Sequence, residues 1–342
     1  MEIVLNSYGG SLSRSNSNFL VCNDETSQLV PVYGVTAIYV WRSTRVSTDA
    51  LLLALDNDID IVLMDRRGDV KGRMWNCKFG SIAYIRKGQL YFEFSPEGVT
   101  WIKATLSMKI AAQINILRTY EVELADSLDV RSKKRLAWSI NKMELSMAQI
   151  SSLHSDKVAP IASSLRGLEG IASKVYFQAM VTLLPKVLTF RKRQQRPARD
   201  IVNAMLNYGY AILYNRVENA LIKVGIDPAI GLLHVDSYNH PVFTYDVIEP
   251  YRCWVDHVVF QMAMCGEVKS SMAEPTEDGN SVWLTDELRQ TLSMRIINAL
   301  SIVADSRHGW SRENVIQMNA ISRASFCRLA WILAVMRYWS VA

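Results

Sequence analysis

The stretch Ser95-Pro96-Glu97-Gly98-Val99-Thr100-Trp101-Ile102 separates two kinds of sequence. Upstream of it, short runs rich in β-branched and aromatic residues alternate with turn residues. Downstream, from about Trp101, apolar residues recur every three or four positions, the spacing that lines one face of a helix. Ile110, Ile114 and Leu117 form one such stripe, and Leu136, Ile140 and Met143 another. The expected fold is therefore α+β, a small N-terminal β-rich domain over residues 1–95 followed by a larger all-α domain over 107–342, with 96–106 as the linker.

Strands are predicted at Ile3 to Leu5, Phe19 to Cys22, Leu29 to Val32, Ala37 to Trp41, Ile59 to Met64 and Gln89 to Phe94. Ser7-Tyr8-Gly9-Gly10 and Arg66-Arg67-Gly68-Asp69 supply turn chemistry. One helix interrupts them, Ser47 to Asn57, with Ser47 or Thr48 as its cap and Leu51, Leu52 and Leu55 on one side. In the second half, helices are predicted at Ile161 to Leu184, Pro197 to Lys223, Pro250 to Cys265, Thr285 to Ala304 and Glu313 to Met336. Gln194 to Pro197 and Ser270 to Gly279 read as loops. The run Asp56-Asn57-Asp58-Ile59-Asp60 lacks the glycine and the closing glutamate of a calcium loop, because Ile61 and Arg67 stand in their places.

With 342 residues, 49% of them hydrophobic, the chain can bury sizeable cores, and disorder is not expected. A formal charge of +5 permits an anionic partner without requiring one. Its basic residues cluster at Arg131 to Arg135 and Arg191 to Arg199. Five cysteines, an odd number with no CxxC pair, argue against a disulfide framework and a thiolate zinc site, and a cytoplasmic location fits best. No signal peptide is recognisable at the N-terminus. The apolar segment Ala324 to Ala342 is broken by Arg328 and Arg337, short of the roughly 20 residues a membrane span needs. It reads as a packing or docking helix.

Four polar residues stand out in the apolar second half: Glu169, His234, Asp246 and Glu249. A carboxylate or imidazole inside apolar sequence must be paired or bound to a cation. Asp246 and Glu249 are spaced i, i+3, so on a helix both would face the same side. Together the four could hold a divalent metal, although each alone has a duller reading as a hydrogen-bonded or solvated residue.

The words around these residues carry a resemblance. Arg196-Pro197-Ala198-Arg199-Asp200-Ile201-Val202-Asn203-Ala204-Met205-Leu206-Asn207-Tyr208-Gly209-Tyr210, Val224-Gly225-Ile226-Asp227-Pro228 through His234, and Asp246-Val247-Ile248-Glu249-Pro250-Tyr251-Arg252 resemble the CRISPR-associated adaptation integrase family. Val46-Ser47-Thr48-Asp49-Ala50-Leu51 followed by Ile61-Val62-Leu63-Met64-Asp65 is similar to that family's β-domain. The resemblance runs in order from about residue 1 to about residue 300. It implies Glu169, His234 and Glu249 as metal ligands, with Asp246 beside them in the catalytic set, and Mg2+ or Mn2+ as the cofactor. It implies joining of the 3′-OH ends of a DNA fragment to a CRISPR repeat by transesterification, or hydrolysis when water attacks. It also implies a homodimer formed through the β-domain and a small second adaptation protein bridging two dimers. On this reading Arg191, Lys192, Arg193, Arg196, Arg199 and Arg252 contact DNA phosphates.

Two alternatives stay open. One is a transposon-type integrase with the same catalytic domain, for which Ser311 to Leu333 leaves room for a helix-turn-helix. The other is a non-catalytic DNA-binding assembly subunit.

Overall fold

The computed structural model describes residues 2–23, 26–65, 70–74, 82–223, 225–235, 240–277 and 279–304. The predicted turn at Arg66 to Asp69, the helix Glu313 to Met336, the segment Ser311 to Leu333 and the apolar tail from Ala324 lie outside them. The chain divides into two compact units, Met1–Gly80 and Ser81–Ala342.

In the first unit β1 (Glu2–Leu5), β2 (Ser11–Ser15), β3 (Asn18–Cys22), β4 (Ser27–Pro31), β5 (Ala37–Trp41) and β6 (Arg45–Val46) precede helix α1 (Thr48–Asp56), which is followed by β7 (Asp60–Met64) and β8 (Val70–Met74). They form two four-stranded sheets, ordered β1-β5-β7-β8 and β4-β3-β2-β6. Strands β1, β5 and β7 run parallel, and β8 closes that sheet antiparallel. Inward residues of both sheets share one core, with Ile3, Leu12, Phe19, Ile38 and Ile61 joined by Ala50, Leu53 and Ala54 of α1. Ser47 caps α1 by accepting from Ala50 N at 3.2 Å. The inward face of α1 is thus not the predicted set: Leu52 is exposed, and the small Ala50 and Ala54 let the helix lie close to the strands. Strand β2 escaped prediction because only Leu12 in it is buried, and backbone pairing to β3 and β6 holds it.

The second unit is helical: α2 (Ile82–Phe92), α3 (Pro96–Glu123), α4 (Val130–Ser152), α5 (Ala159–Leu183), α6 (Ile201–Lys223), α7 (Val242–Ile248) and α8 (Arg252–Met264). A short hairpin of β9 (Ala273–Pro275) and β10 (Val282–Leu284) leads into α9 (Asp286–Ala304). Both predicted stripes are buried, one in α3 and the other in α4. The α+β class holds, strands first and helices after.

Several boundaries differ from expectation. Residues 96–106 are no linker but the opening turns of α3, capped by Ser95, whose hydroxyl accepts from Gly98 N at 3.1 Å. Gly98 is required there, since a Cβ would fall on the carbonyl oxygen of Phe92. Gln89 to Phe94 is not a strand; residues 89–92 end α2. Its β-rich composition misleads, because Leu90 and Tyr91 face solvent while Ile85, Gln89 and Phe92, at helical spacing, face inward. Pro197 does not start α6: it follows a cis bond from Arg196, and the helix begins after Asp200, whose carboxylate accepts from Asn203 N at 2.9 Å. Ser270 to Gly279 contributes a strand of the β9–β10 hairpin rather than a plain loop.

Candidate active site

Helix α3 runs through the helical unit with Ile102, Leu106, Ile110, Ile114 and Leu117 buried. Three polar residues of the helix are buried with them, Thr105, Lys109 and Gln113, and only Lys109 carries a charge. A buried ammonium needs anionic partners. Lys109 Nζ forms ion pairs with Glu169 Oε1 of α5 and Glu249 Oε2 of the 3-10 turn after α7. Two carboxylates remote in sequence thus converge on one positive charge. Ser173 Oγ, one turn on from Glu169, donates to Glu169 Oε1 at 2.7 Å.

The opposite side of Glu249 is held by Arg252, whose Nε donates to Glu249 Oε1 at 2.9 Å and whose Nη2 donates to the Tyr214 hydroxyl. Its guanidinium also lies over the rings of Tyr210 and Tyr214, 4.9 Å and 5.3 Å from their centroids. Burial raises the pKa of Glu249, but Arg252 and Lys109 outweigh it and bring the carboxyl down to about 2. Burial works against the charge on Lys109 as well, and the two glutamates overcome it, so its pKa rises.

His234 sits in the segment between α6 and α7, where only a tethered backbone could place a side chain reproducibly. The tethers come from three helices. The Gln89 amide of α2 donates to Asp227 O and Ile230 O at 2.7 Å and 3.1 Å, and Arg166 of α5 donates to Leu233 O at 2.6 Å. Asp246 of α7, with no solvent exposure, accepts from the backbone N–H groups of Leu232, Leu233 and His234 at 2.7, 3.0 and 3.2 Å. The same carboxylate lies 2.6 Å from His234 Nδ1. A carboxylate on Nδ1 places the proton there and leaves the lone pair on Nε2. Burial disfavours the imidazolium, and the Asp246 carboxylate reverses this to raise the pKa of His234.

A cavity of about 480 Å³ gathers these groups, with Lys109, Glu169, His234, Glu249, Arg252 and Tyr210 in its wall. All three predicted ligands therefore reach one cavity. Asp246 does not line it; the carboxylate is taken up by the backbone of residues 232–234 and the His234 ring, in spite of the i, i+3 spacing from Glu249. Among the described residues no three His, Cys, Asp or Glu side chains stand close enough to hold a metal ion between them as they are. The ammonium of Lys109 occupies the space between the two glutamates. The donor set still suits a hard divalent cation, because two carboxylate oxygens already surround one positive centre and an imidazole faces the same space.

The basic segment lies on the rim. Arg191, Lys192, Arg196 and Arg199 are exposed, and Lys192 and Arg193 also line the cavity. Arg193 is spent on structure: it donates to Gln194 O, to Asn203 Oδ1 at 3.0 Å and to Asn207 Oδ1 at 2.7 Å, and stacks 5.3 Å from the Tyr210 centroid. The fully buried Asn203 organises the segment, its amide donating to Lys192 O at 2.9 Å while its oxygen accepts from Gln194 N at 2.7 Å. Arg252 is likewise committed to Glu249. Lys109 and Asn203 were missed in the sequence, yet each had a signal: a polar residue in register with a buried helical stripe.

Fold and site define a class, a two-unit α+β protein whose helical unit assembles carboxylates, an imidazole and cations around a polar cavity. The family model for CRISPR associated protein Cas1 matches residues 3–296, and the chain belongs to that family. It is 28% identical to CRISPR-associated endonuclease Cas1 1 of Archaeoglobus fulgidus, over 96% of both chains. It is 29% identical to CRISPR-associated endonuclease Cas1 1 of Thermus thermophilus, covering 83% of this chain and 82% of that one. Among solved structures, a CAS1 protein from Thermotoga maritima shares the fold with a TM-score of 0.69 at 20% identity, over 96% of this chain and 95% of the other. A casposase bound to integration product gives 0.67 at 18% identity, over 87% and 82%. No helix of the described residues is long and apolar enough to cross a membrane.

Proposed function

We propose that this chain is a metal-dependent DNA integrase and endonuclease of CRISPR adaptation, with Glu169, His234 and Glu249 holding one Mg2+ or Mn2+. The observation that carries the reading is the convergence of both glutamates on a single positive charge in the cavity that His234 also lines. The curated relatives are named endonucleases, which agrees with it.

In the joining reaction the 3′-hydroxyl oxygen of a DNA fragment forms a bond to a phosphorus at the edge of the repeat. The 3′-oxygen of the flanking nucleotide leaves and takes up a proton in exchange for the one the attacking hydroxyl releases, so the phosphorus stays on the 5′-oxygen of the repeat; water in place of the hydroxyl gives hydrolysis. When bound, the divalent cation neutralises charge on the phosphoryl oxygens and favours ionisation of the attacking hydroxyl. Asp246 keeps His234 in the tautomer that offers Nε2 to the cavity. Arg252 holds Glu249 ionised and oriented. Arg191, Lys192, Arg196 and Arg199 bind phosphates on the rim and set the register of the duplex without reading its sequence, while Arg193 and Arg252 shape the wall. No serine or cysteine need be covalent, since the nucleophile belongs to DNA.

The first unit serves as the homodimerisation surface, and a small second adaptation protein joins two dimers. One neighbour in fold is part of a Cas6-RT-Cas1–Cas2 complex, which accords with such an assembly. A non-catalytic subunit would have no use for four charges gathered around one cavity, two of them, Lys109 and Glu249, buried.

The test is joining of a labelled 3′-OH oligonucleotide to a plasmid carrying the CRISPR repeat, with Mn2+ and the partner protein. The wild type should form the joined product and His234→Ala should not. Wild-type inactivity across metals and partners, or full activity of His234→Ala, would refute the assignment. Joining to repeat-free plasmid with equal efficiency would favour the transposon-type reading.

A further inference from the structure

The Lys109 ammonium stands where the two glutamates would share a cation. Its side chain is only 7% exposed, it pairs with both carboxylates, and it comes from the middle of the longest described helix, where the apolar neighbours Leu106 and Ile110 fix its direction. Without it, Glu169 and Glu249 would face each other with only Arg252 to balance them. Four charges, two of each sign, make the cluster neutral in the absence of any ion. Adding a divalent cation between the carboxylates places a third positive centre within a few ångströms of the buried Lys109 ammonium, where like charges repel.

We propose that Lys109 is a built-in counter-cation: it holds the two glutamates together before metal arrives, and competes with the divalent ion for their oxygens. This rests on the metal-binding reading given above. Binding the ion requires the ammonium to give up Glu169 Oε1 or Glu249 Oε2. The unbranched side chain can swing without moving α3, and the cavity it lines gives it somewhere to go. The competition lowers metal affinity and couples it to whatever anion receives the displaced ammonium. A DNA phosphate in the cavity is such an anion, so metal and DNA should each strengthen the binding of the other.

The experiment measures Mn2+ binding by electron paramagnetic resonance of free Mn2+, on the full-length protein without DNA, for wild type, Lys109→Met and Lys109→Gln. Both variants should bind Mn2+ at least about tenfold more tightly than wild type, and Mn2+ should raise their melting temperature by more than it raises that of wild type. A lysine that is only structural would lower the metal-free melting temperature and leave Mn2+ affinity unchanged or weaker, which would overturn the inference. Should neither variant fold, lysine footprinting of wild type by reductive methylation and mass spectrometry decides: Lys109 labelling should rise on adding Mn2+, and unchanged or reduced labelling overturns the proposal. If wild type and both variants bind no Mn2+, the metal-binding reading itself falls and this inference with it. Wild-type binding that the substitutions do not tighten removes the counter-cation role alone.

Discussion

Replacing Asp246 by asparagine keeps the shape of the side chain and removes half of its accepting capacity. In the wild type Oδ2 takes the Leu232 and Leu233 N–H groups, and Oδ1 takes the His234 N–H and lies against Nδ1, all without solvent. The asparagine amide must turn its NH2 toward one of those pairs. Facing Leu232 and Leu233, it leaves two buried donors unpaired. Facing His234, it strands one backbone N–H and forces Nδ1 to accept, which moves the imidazole proton to Nε2. Each stranded donor costs about 1–3 kcal/mol, and hydrogen bonds to a charged acceptor lose a similar amount when the charge goes, so Asp246→Asn should lose about 4 kcal/mol of folding stability. In the second arrangement the lone pair also leaves the cavity, and loss of such a partner behind a ligating histidine typically weakens metal binding about 10- to 100-fold. Urea unfolding near neutral pH measures the first effect, and Mn2+ titration of the folded variant measures the second. A variant within about 1 kcal/mol of wild type, with unchanged Mn2+ affinity, would refute the role assigned to Asp246.

The salt dependence of duplex binding should fall when Arg191, Lys192, Arg196 and Arg199 are replaced by glutamine, by roughly 0.9 in the slope of log affinity against log salt for each residue that contacts a phosphate; an unchanged slope would mean the segment does not touch DNA. Asp256, buried in α8 and accepting from the Tyr210 hydroxyl, has its carboxyl pushed up to about 6 by burial, in spite of opposing help from Tyr210 and Arg193. The folded state then holds a proton that the unfolded chain, with an ordinary aspartate, has released. Stability from this group is therefore present at low pH and lost as pH rises from the unfolded value through about 6. Asp256→Asn should abolish a stability change of about 2 kcal/mol between about pH 4.5 and about pH 7, seen as a smaller separation between the urea unfolding curves at the two pH values in the variant than in wild type; an identical pH profile in both would contradict it.

Much of this architecture is legible in residue spacing. The α3 and α4 stripes follow from apolar periodicity, and Ala37 to Trp41 is a strand with the bounds its β-branched run suggests. What spacing conceals is which neighbour a segment meets. Residues 89–94 carry strand-like composition, yet Gln89 is inward because its amide is needed by the loop before His234. The polar candidates Glu169, His234 and Glu249 stand out as costly residues in apolar surroundings, and they reach one cavity. Asp246 stood out for the same reason but serves the backbone, since an i, i+3 relation fixes a helix face and says nothing of the loop packed on it. The role of Lys109 is not legible in the sequence, because its partners, on α5 and in the turn after α7, arrive from far along the chain.

The most direct test of the shared cation is a crystal of this protein soaked in MnCl2, with diffraction recorded to show the anomalous signal of manganese. The account predicts one strong peak in the cavity, at about 2 Å from a carboxylate oxygen of Glu169, a carboxylate oxygen of Glu249 and Nε2 of His234, with the Lys109 ammonium displaced from at least one glutamate. A peak bound elsewhere, or well-ordered glutamates still paired to Lys109 at saturating Mn2+, would contradict it.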